Sequence, residues 1–248
     1  MNNTTIRTVV AMAGFTALMM TQVMTQAMAS EHGAAVAAGK APSTNVAWTA
    51  DMVRFVANGD KDRGAKLSQD MFCASCHGNA GIAPSANWPS MAGQRAEYTF
   101  KMLKDYKDGK RMATNTSDPM VALSKMMSEH DMADLAQFYA SFDLPALPKG
   151  VSFDAAQGEK VKPIIARGDG KRLVAPCQSC HSSDGSGAAT DSPALAGQTP
   201  DYFVKTMQEY KNGTRHNDVY ARMRLIAQAL TDEEIVQMAQ YYAGMTAK

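Results

Sequence analysis

Apolar positions along this chain recur at helical spacing. Tyr98, Met102 and Tyr106 fall four apart and predict one buried stripe on a helix over 95–108, stopped by Gly109. Thr199 and Pro200 place a cap and a first-turn proline before a second helix over 201–212, stopped by Gly213. Asp118-Pro119 opens a short helix by the same logic. Ser128-x-x-Asp131 and Thr231-x-x-Glu234 have the form of capping boxes, each opening a further helix, with Asp standing in for Glu in the first. No alternating apolar–polar run of any length marks a strand, so the expected fold class is all-α.

These elements come in two sets. A shift of 104 residues lays Cys73, Cys76 and His77 on Cys177, Cys180 and His181, and Pro89 on Pro193. It also lays Ala92-Gly93-Gln94 on Ala196-Gly197-Gln198, Tyr98 on Tyr202, Tyr106 on Tyr210, and Arg111 on Arg215. After a one-residue deletion, Met120 meets Met223, Ser128 meets Thr231, and Phe138 meets Tyr241. Two copies of one helical domain are the simplest account. Asp143-Leu-Pro-Ala-Leu-Pro-Lys-Gly150 carries two prolines that stop a helix and stiffen a connection. The expected division is a first domain over 48–143, a linker over 144–150 and a second domain over 151–248.

Composition changes the picture at the N-terminus. Arg7 is the only charged side chain before Glu31, an apolar run spans Val9 to Met20, and Ala27-Met28-Ala29 has the small-x-small form of a cleavage site. Residues 1–29 read as a secretory signal peptide, with an apolar core too short for a comfortable membrane span. Residues 30–47, rich in Ala, Gly and Ser, read as a flexible arm. Setting Arg7 aside, the 25 basic residues become 24 and match the 24 acidic ones. Neither half is a basic module, which excludes nucleic acid as a partner.

All four cysteines lie in two identical frames, Cys73-Ala-Ser-Cys76-His77 and Cys177-Gln-Ser-Cys180-His181. Cys-x-x-Cys-His is the attachment frame of a c-type haem. Two thiols at this spacing reach the two vinyl groups of one porphyrin, and the adjacent His supplies the proximal iron ligand. The competing readings are weaker. Zinc needs four ligands in one site, and these pairs lie in separate repeats. A redox dithiol belongs in a βαβ context, and a disulfide leaves both histidines and the repeat unexplained. Two haem c groups are expected, held by Cys73, Cys76, Cys177 and Cys180, with His77 and His181 on the irons.

A sixth ligand is then expected, and a methionine thioether suits low-spin electron-transfer haems. Methionine is abundant, at 19 residues, and most fill core gaps. Between the helix ending near Asn212 and Thr231 there is one methionine, Met223, with His216 as the other candidate. In the first repeat Met112, Met120, Met126 and Met127 all fall in range, and register with Met223 selects Met120. His32, His130 and His216 read by default as solvated residues, with His216 retained as a switched ligand.

These residues together resemble the two-haem class I cytochromes c called cytochrome c4, from about Asp60 to Tyr242. The second repeat carries the resemblance most clearly, in Gln157-Gly-Glu-Lys160, Pro193-Ala-Leu-Ala-Gly-Gln198 and Met223-Arg224. The resemblance implies two tandem class I cytochrome c domains related by a pseudo-twofold axis, His/Met ligation at both irons, and haem propionates meeting across the interface. It implies that the carbonyls of Pro89 and Pro193 accept a hydrogen bond from the ligand imidazoles. It also implies helix crossings at Gly64 with Phe138 and at Gly158 with Tyr241. The Met loop over 111–119 departs from the family pattern.

The expected function is periplasmic electron transfer, not catalysis. The resemblance implies a quinol-oxidising cytochrome complex or a dehydrogenase as donor and a terminal oxidase or reductase as acceptor. Transient association at the membrane surface is compatible with this role. The alternative is the dihaem subunit of a sulfur-compound dehydrogenase, which shares the double-domain pattern. A peroxidase would need a displaceable sixth ligand, where both repeats offer Met.

Overall fold

The computed structural model describes residues 48–111, 118–187 and 190–245. The signal peptide, the arm and Met112 lie outside the described residues. Among these residues the fold is helical, with one isolated bridge between Asp169 and Val174 in place of any strand.

The first repeat begins with a helix that the apolar pattern did not announce, α1 (Ala50–Ala57), capped by Thr49. It lays Val56 fully into the core, while Phe55 meets the Phe100 ring edge-on at 5.8 Å. Then follow α2 (Lys61–Asp70), the single turn α3 (Ala74–His77), α4 (Ala96–Lys107), α5 (Pro119–Met126) and α6 (Glu129–Ala140). The second repeat runs α7 (Ala155–Arg167), the turn α8 (Gln178–His181), α9 (Pro200–Lys211), a 3-10 turn (Val219–Ala221), α10 (Arg222–Ala229) and α11 (Asp232–Ala243).

In each repeat the first long helix crosses the last, α2 on α6 and α7 on α11. A Cβ on Gly64 would strike the Asp134 carbonyl, and one on Gly158 would sit 2.9 Å from the Tyr241 backbone. Only glycine lets the helices come that close. Both capping boxes form: Ser128 and Asp131 open α6, and Thr231 and Glu234 open α11. Thr199 departs from its expected role. It occupies the N-cap position of α9, but its side chain caps nothing. Its hydroxyl donates instead to the Ala86 carbonyl of the first repeat, at 3.2 Å.

Each repeat has its own apolar cluster. Met132, Leu135 and Tyr139 are buried in the first, and Ile235, Met238 and Tyr242 in the second. Each such side chain contributes on the order of 1.5–3 kcal/mol by leaving water. The connection between repeats packs against both. Pro145 and Pro148 are buried, Gly93 lies against the Leu144 backbone, and Gly197 against the Pro145 carbonyl.

Candidate functional site

Each Cys-x-x-Cys-His frame folds as one tight helical turn. The amides of Cys76 and His77 donate to the Cys73 carbonyl at 3.3 and 3.0 Å, and those of Cys180 and His181 to the Cys177 carbonyl at 3.2 and 2.9 Å. That turn brings the two thiols, three residues apart, to one face. Ser75 and Ser179, between the cysteines, lock it from inside. Their hydroxyls donate to the carbonyls of Phe72 at 2.7 Å and Pro176 at 2.6 Å. Both turns end in left-handed backbone, at Gly78 and Ser182.

No thiol is in a disulfide. Burial pushes the Cys73 thiol up and the Cys177 thiol up to about 11, so at neutral pH both are protonated. Among the described residues no three of His, Cys, Asp and Glu converge as a metal cluster.

His77 and His181 are buried, and their Nδ1 atoms lie 3.0 Å from the Pro89 carbonyl and 2.9 Å from the Pro193 carbonyl. A carbonyl oxygen only accepts, so each Nδ1 carries the proton. Burial pushes both imidazoles toward the neutral form, against the opposing pull of those carbonyls. Each ring therefore keeps a lone pair on Nε2, the state required of a metal ligand.

Both turns face one continuous, largely apolar cavity of about 640 Å³. Its walls include Met120, Met127 and Met223. Met126 is 78% exposed and turned outward, and His216 does not line the cavity. Met223 sits on the first turn of α10, after left-handed Tyr220 and Ala221. Met120 sits on the first turn of α5, where its amide donates to Asp118 at 2.8 Å. Phe72 and Leu173, both left-handed, stand at the cavity edge with 77% and 90% of their surface exposed.

Sequence reasoning missed the charged groups of this cavity. Arg215 is 2% exposed, lies over the Tyr210 ring at 4.5 Å, and donates to Asn217 at 3.0 Å and to the Tyr98 hydroxyl at 2.9 Å. Its Nη1 is buried with no hydrogen-bond partner. Arg111, its counterpart one repeat earlier, lies over the Tyr106 ring at 4.6 Å and donates to the Tyr202 hydroxyl at 3.1 Å. Lys101 pairs with Asp105 and donates to the Asn217 carbonyl at 2.6 Å. Burial pushes the Tyr202 hydroxyl up, yet the charges of Arg111 and Arg215 outweigh it and draw the group down. An unpartnered guanidinium N–H in a largely apolar cavity calls for an anion. The donor set fits a flat apolar group that carries carboxylates, bonds to two thiols and takes imidazole and thioether ligands: a haem c in each half. The only signal in the sequence was Arg111 falling on Arg215 in the repeat.

Two stretches of the chain, 61–142 and 168–245, match the cytochrome c family profile. The chain is 33% identical to cytochrome c4 of Pseudomonas aeruginosa over 74% of this chain and 89% of that protein. It is 31% identical to a thiosulfate dehydrogenase electron acceptor of Stutzerimonas stutzeri, over 72% and 81%. Reduced recombinant cytochrome c4 from Pseudomonas stutzeri superposes with a TM-score of 0.66 at 26% identity, covering 75% of this chain and 99% of that one.

Proposed function

This chain belongs to the cytochrome c family, as a two-domain electron carrier of the cytochrome c4 type with two haem c groups, and from that premise we propose how its residues hold them. Cys73 and Cys76 tether one haem and Cys177 and Cys180 the other, through thioethers. His77 and His181 ligate the irons through Nε2, oriented by the Pro89 and Pro193 carbonyls. Met120 and Met223 supply the sixth ligands. Arg215 and Arg111 hold haem carboxylates by charge-assisted hydrogen bonds. When bound, each haem supplies one-electron chemistry at an iron that keeps both ligands. The apolar walls exclude water and the packed helices hold the ligand atoms in place, so little reorganises when charge changes. The observation that carries this reading is the single cavity faced by both Cys–His turns, with Met120, Met223 and an unpartnered Arg215 in its walls.

Among the described residues no helix is long and apolar enough to cross a membrane. We assign the carrier to the periplasm, exported by residues 1–29. The donor is a quinol-oxidising cytochrome complex or a dehydrogenase, and the acceptor a terminal oxidase or reductase. The relative described as a thiosulfate dehydrogenase electron acceptor favours a second reading, in which the donor is a sulfur-compound dehydrogenase.

The test is a visible spectrum of the purified protein, oxidised, reduced, and reduced under carbon monoxide. Two low-spin haems indifferent to carbon monoxide, with the far-red sulfur–iron band when oxidised, are expected. Carbon monoxide binding at either haem overturns Met ligation there.

A further inference from the structure

The glutamines of the repeated Ala-Gly-Gln triplet form a reciprocal clasp across the repeat boundary. Gln198 accepts the Ser90 amide on Oε1 at 3.0 Å and donates from Nε2 to the Ser90 carbonyl at 3.0 Å. Gln94 does the same to Ala194, at 2.8 and 3.1 Å. Each Oε1 also accepts the amide of the residue following its own glutamine, Thr199 or Arg95, at 3.0 Å. With amides on one side and a carbonyl on the other, neither side chain can be flipped without opposing like groups. Both glutamines and both clasped residues are buried.

The clasped positions follow the two prolines. The Ser90 N–H and the Pro89 C=O are opposite faces of one peptide group, and that carbonyl accepts from His77 Nδ1 at 3.0 Å. The Ala194 N–H and Pro193 C=O are related likewise, with His181 at 2.9 Å. Two hydrogen-bond chains result: Gln198 to the Pro89–Ser90 peptide to His77, and Gln94 to the Pro193–Ala194 peptide to His181. Each begins in one repeat and ends on the imidazole of the other. A peptide whose N–H is bonded has a more strongly accepting carbonyl, because hydrogen bonds in a chain polarise one another. A stronger acceptor at Nδ1 makes the imidazole more basic and fixes its ring plane.

We propose that Gln198 and Gln94 are positioning residues for the haem iron of the opposite repeat, each setting the basicity and orientation of the facing histidine through a single peptide. The proposal rests on the reading of His77 and His181 as iron ligands. A more basic imidazole favours ferric iron, so cutting a relay raises the potential of the haem facing the lost glutamine and leaves the haem of its own repeat unchanged.

The experiment uses the full-length holoprotein labelled with 15N-histidine, titrated through both redox steps, with each potential read from the signals of its own histidine. Gln198→Met is expected to move the His77 Nδ1–H resonance and shift the first-repeat reduction equilibrium about threefold. At 59 mV per decade that is about 28 mV upward. The His181 signal and its haem stay in place, and Gln94→Met gives the mirror result. Gln198→Glu sets a charged, stronger acceptor against the Ser90 N–H and is expected to move the first-repeat potential downward, opposite to Gln198→Met. Equal shifts of both haems, a shift confined to the variant's own repeat, or a Gln198→Glu shift in the same direction as that of Gln198→Met overturns the relay. Wild-type His77 and His181 signals free of any haem-induced shift overturn the ligand assignment instead.

Discussion

The two repeats deliver a methionine to the same cavity from different local scaffolds. In the second repeat the approach to Met223 is built from buried polar groups. Asn217 is fully buried, Asp218 accepts the Arg224 amide at 3.0 Å and the Arg224 side chain at 2.8 Å, and two left-handed residues turn the chain into α10. In the first repeat Met120 rides on the opening turn of α5, and Asp118 caps it with one bond to its amide. The first repeat has compensations elsewhere: α1 covers its core, and Arg63 in α2 reaches Asp134 in α6 at 2.8 Å. The second repeat fixes the segment that bears Met223 with an internal ion pair, and among the described residues the first holds Met120 with an N-cap and helix packing. The Cys–His turn and its proline are alike in the two repeats, while among the described residues the segments that carry Met120 and Met223 differ.

The largest expected effect tests whether the repeats load independently. Replacing Cys177 and Cys180 by Ala is expected to halve the haem content per chain, and replacing Cys73 and Cys76 to halve it from the other side, as read by haem absorbance per mole of protein. Next is the contrast between the two aspartates. Asp218→Ala strips the carboxylate from a buried guanidinium and is expected to cost about 3–5 kcal/mol. Asp118→Ala removes a cap and costs about 1 kcal/mol. Denaturant titration separates the two, and equal losses would erase the distinction drawn between the scaffolds.

The helix crossings give a smaller contrast. Gly64→Ala drives a Cβ into the Asp134 carbonyl and is expected to cost about 3 kcal/mol, while Gly158→Ala, with 2.9 Å to the Tyr241 backbone, costs about 1–2 kcal/mol. Thermal melts of the two variants rank them.

The smallest effect depends on pH. Burial pushes the Asp134 carboxyl up, but its bonds to Arg63 and to the Asp60 amide more than offset this and hold it below its ordinary 3.8. A carboxyl lowered in the folded state stabilises the fold fully above its unfolded value, and that stability is lost as pH falls through the folded one. Asp134→Asn is therefore expected to cost about 1 kcal/mol at neutral pH, with Arg63 largely exposed, and the gap from wild type closes below about pH 4. In the second repeat Gln237 stands in register with Asp134 and has no charge to lose, so substitutions there leave the acid limb unchanged.

What could be read from sequence alone follows the range of the interactions involved. The Cys–His turns, the capping boxes and the proline-led α5 each depend on residues a few positions apart, or on a repeat that displays the same spacing twice, whereas the Gly64 and Gly158 crossings came only with the family resemblance. The helix α1 escaped because its apolar contacts are made to Phe100 and α6, far along the chain. Thr199 matched a capping pattern, but its hydroxyl found a carbonyl of the other repeat 113 residues away. The same holds for Arg215, Lys101 and the two glutamines. Each has a partner about 100 positions distant or more, in the other repeat: Tyr98 for Arg215, Asn217 for Lys101, and Ser90 and Ala194 for the glutamines. Met120 and Met127 share the cavity wall, so register, rather than burial, separates them.

The connection between repeats was expected to be a stiffened tether, and it is a wedge: Pro145 and Pro148 are buried, and the Ala-Gly-Gln turns of both halves close on Asp143 to Pro145. A wedge has no hinge. If the packing of that wedge holds in solution, the distance an electron crosses inside the molecule is expected to be set at folding rather than sampled by diffusion of one half against the other. Thickening the solvent with sucrose is then expected to slow encounters with a partner and to leave the internal step at its original speed.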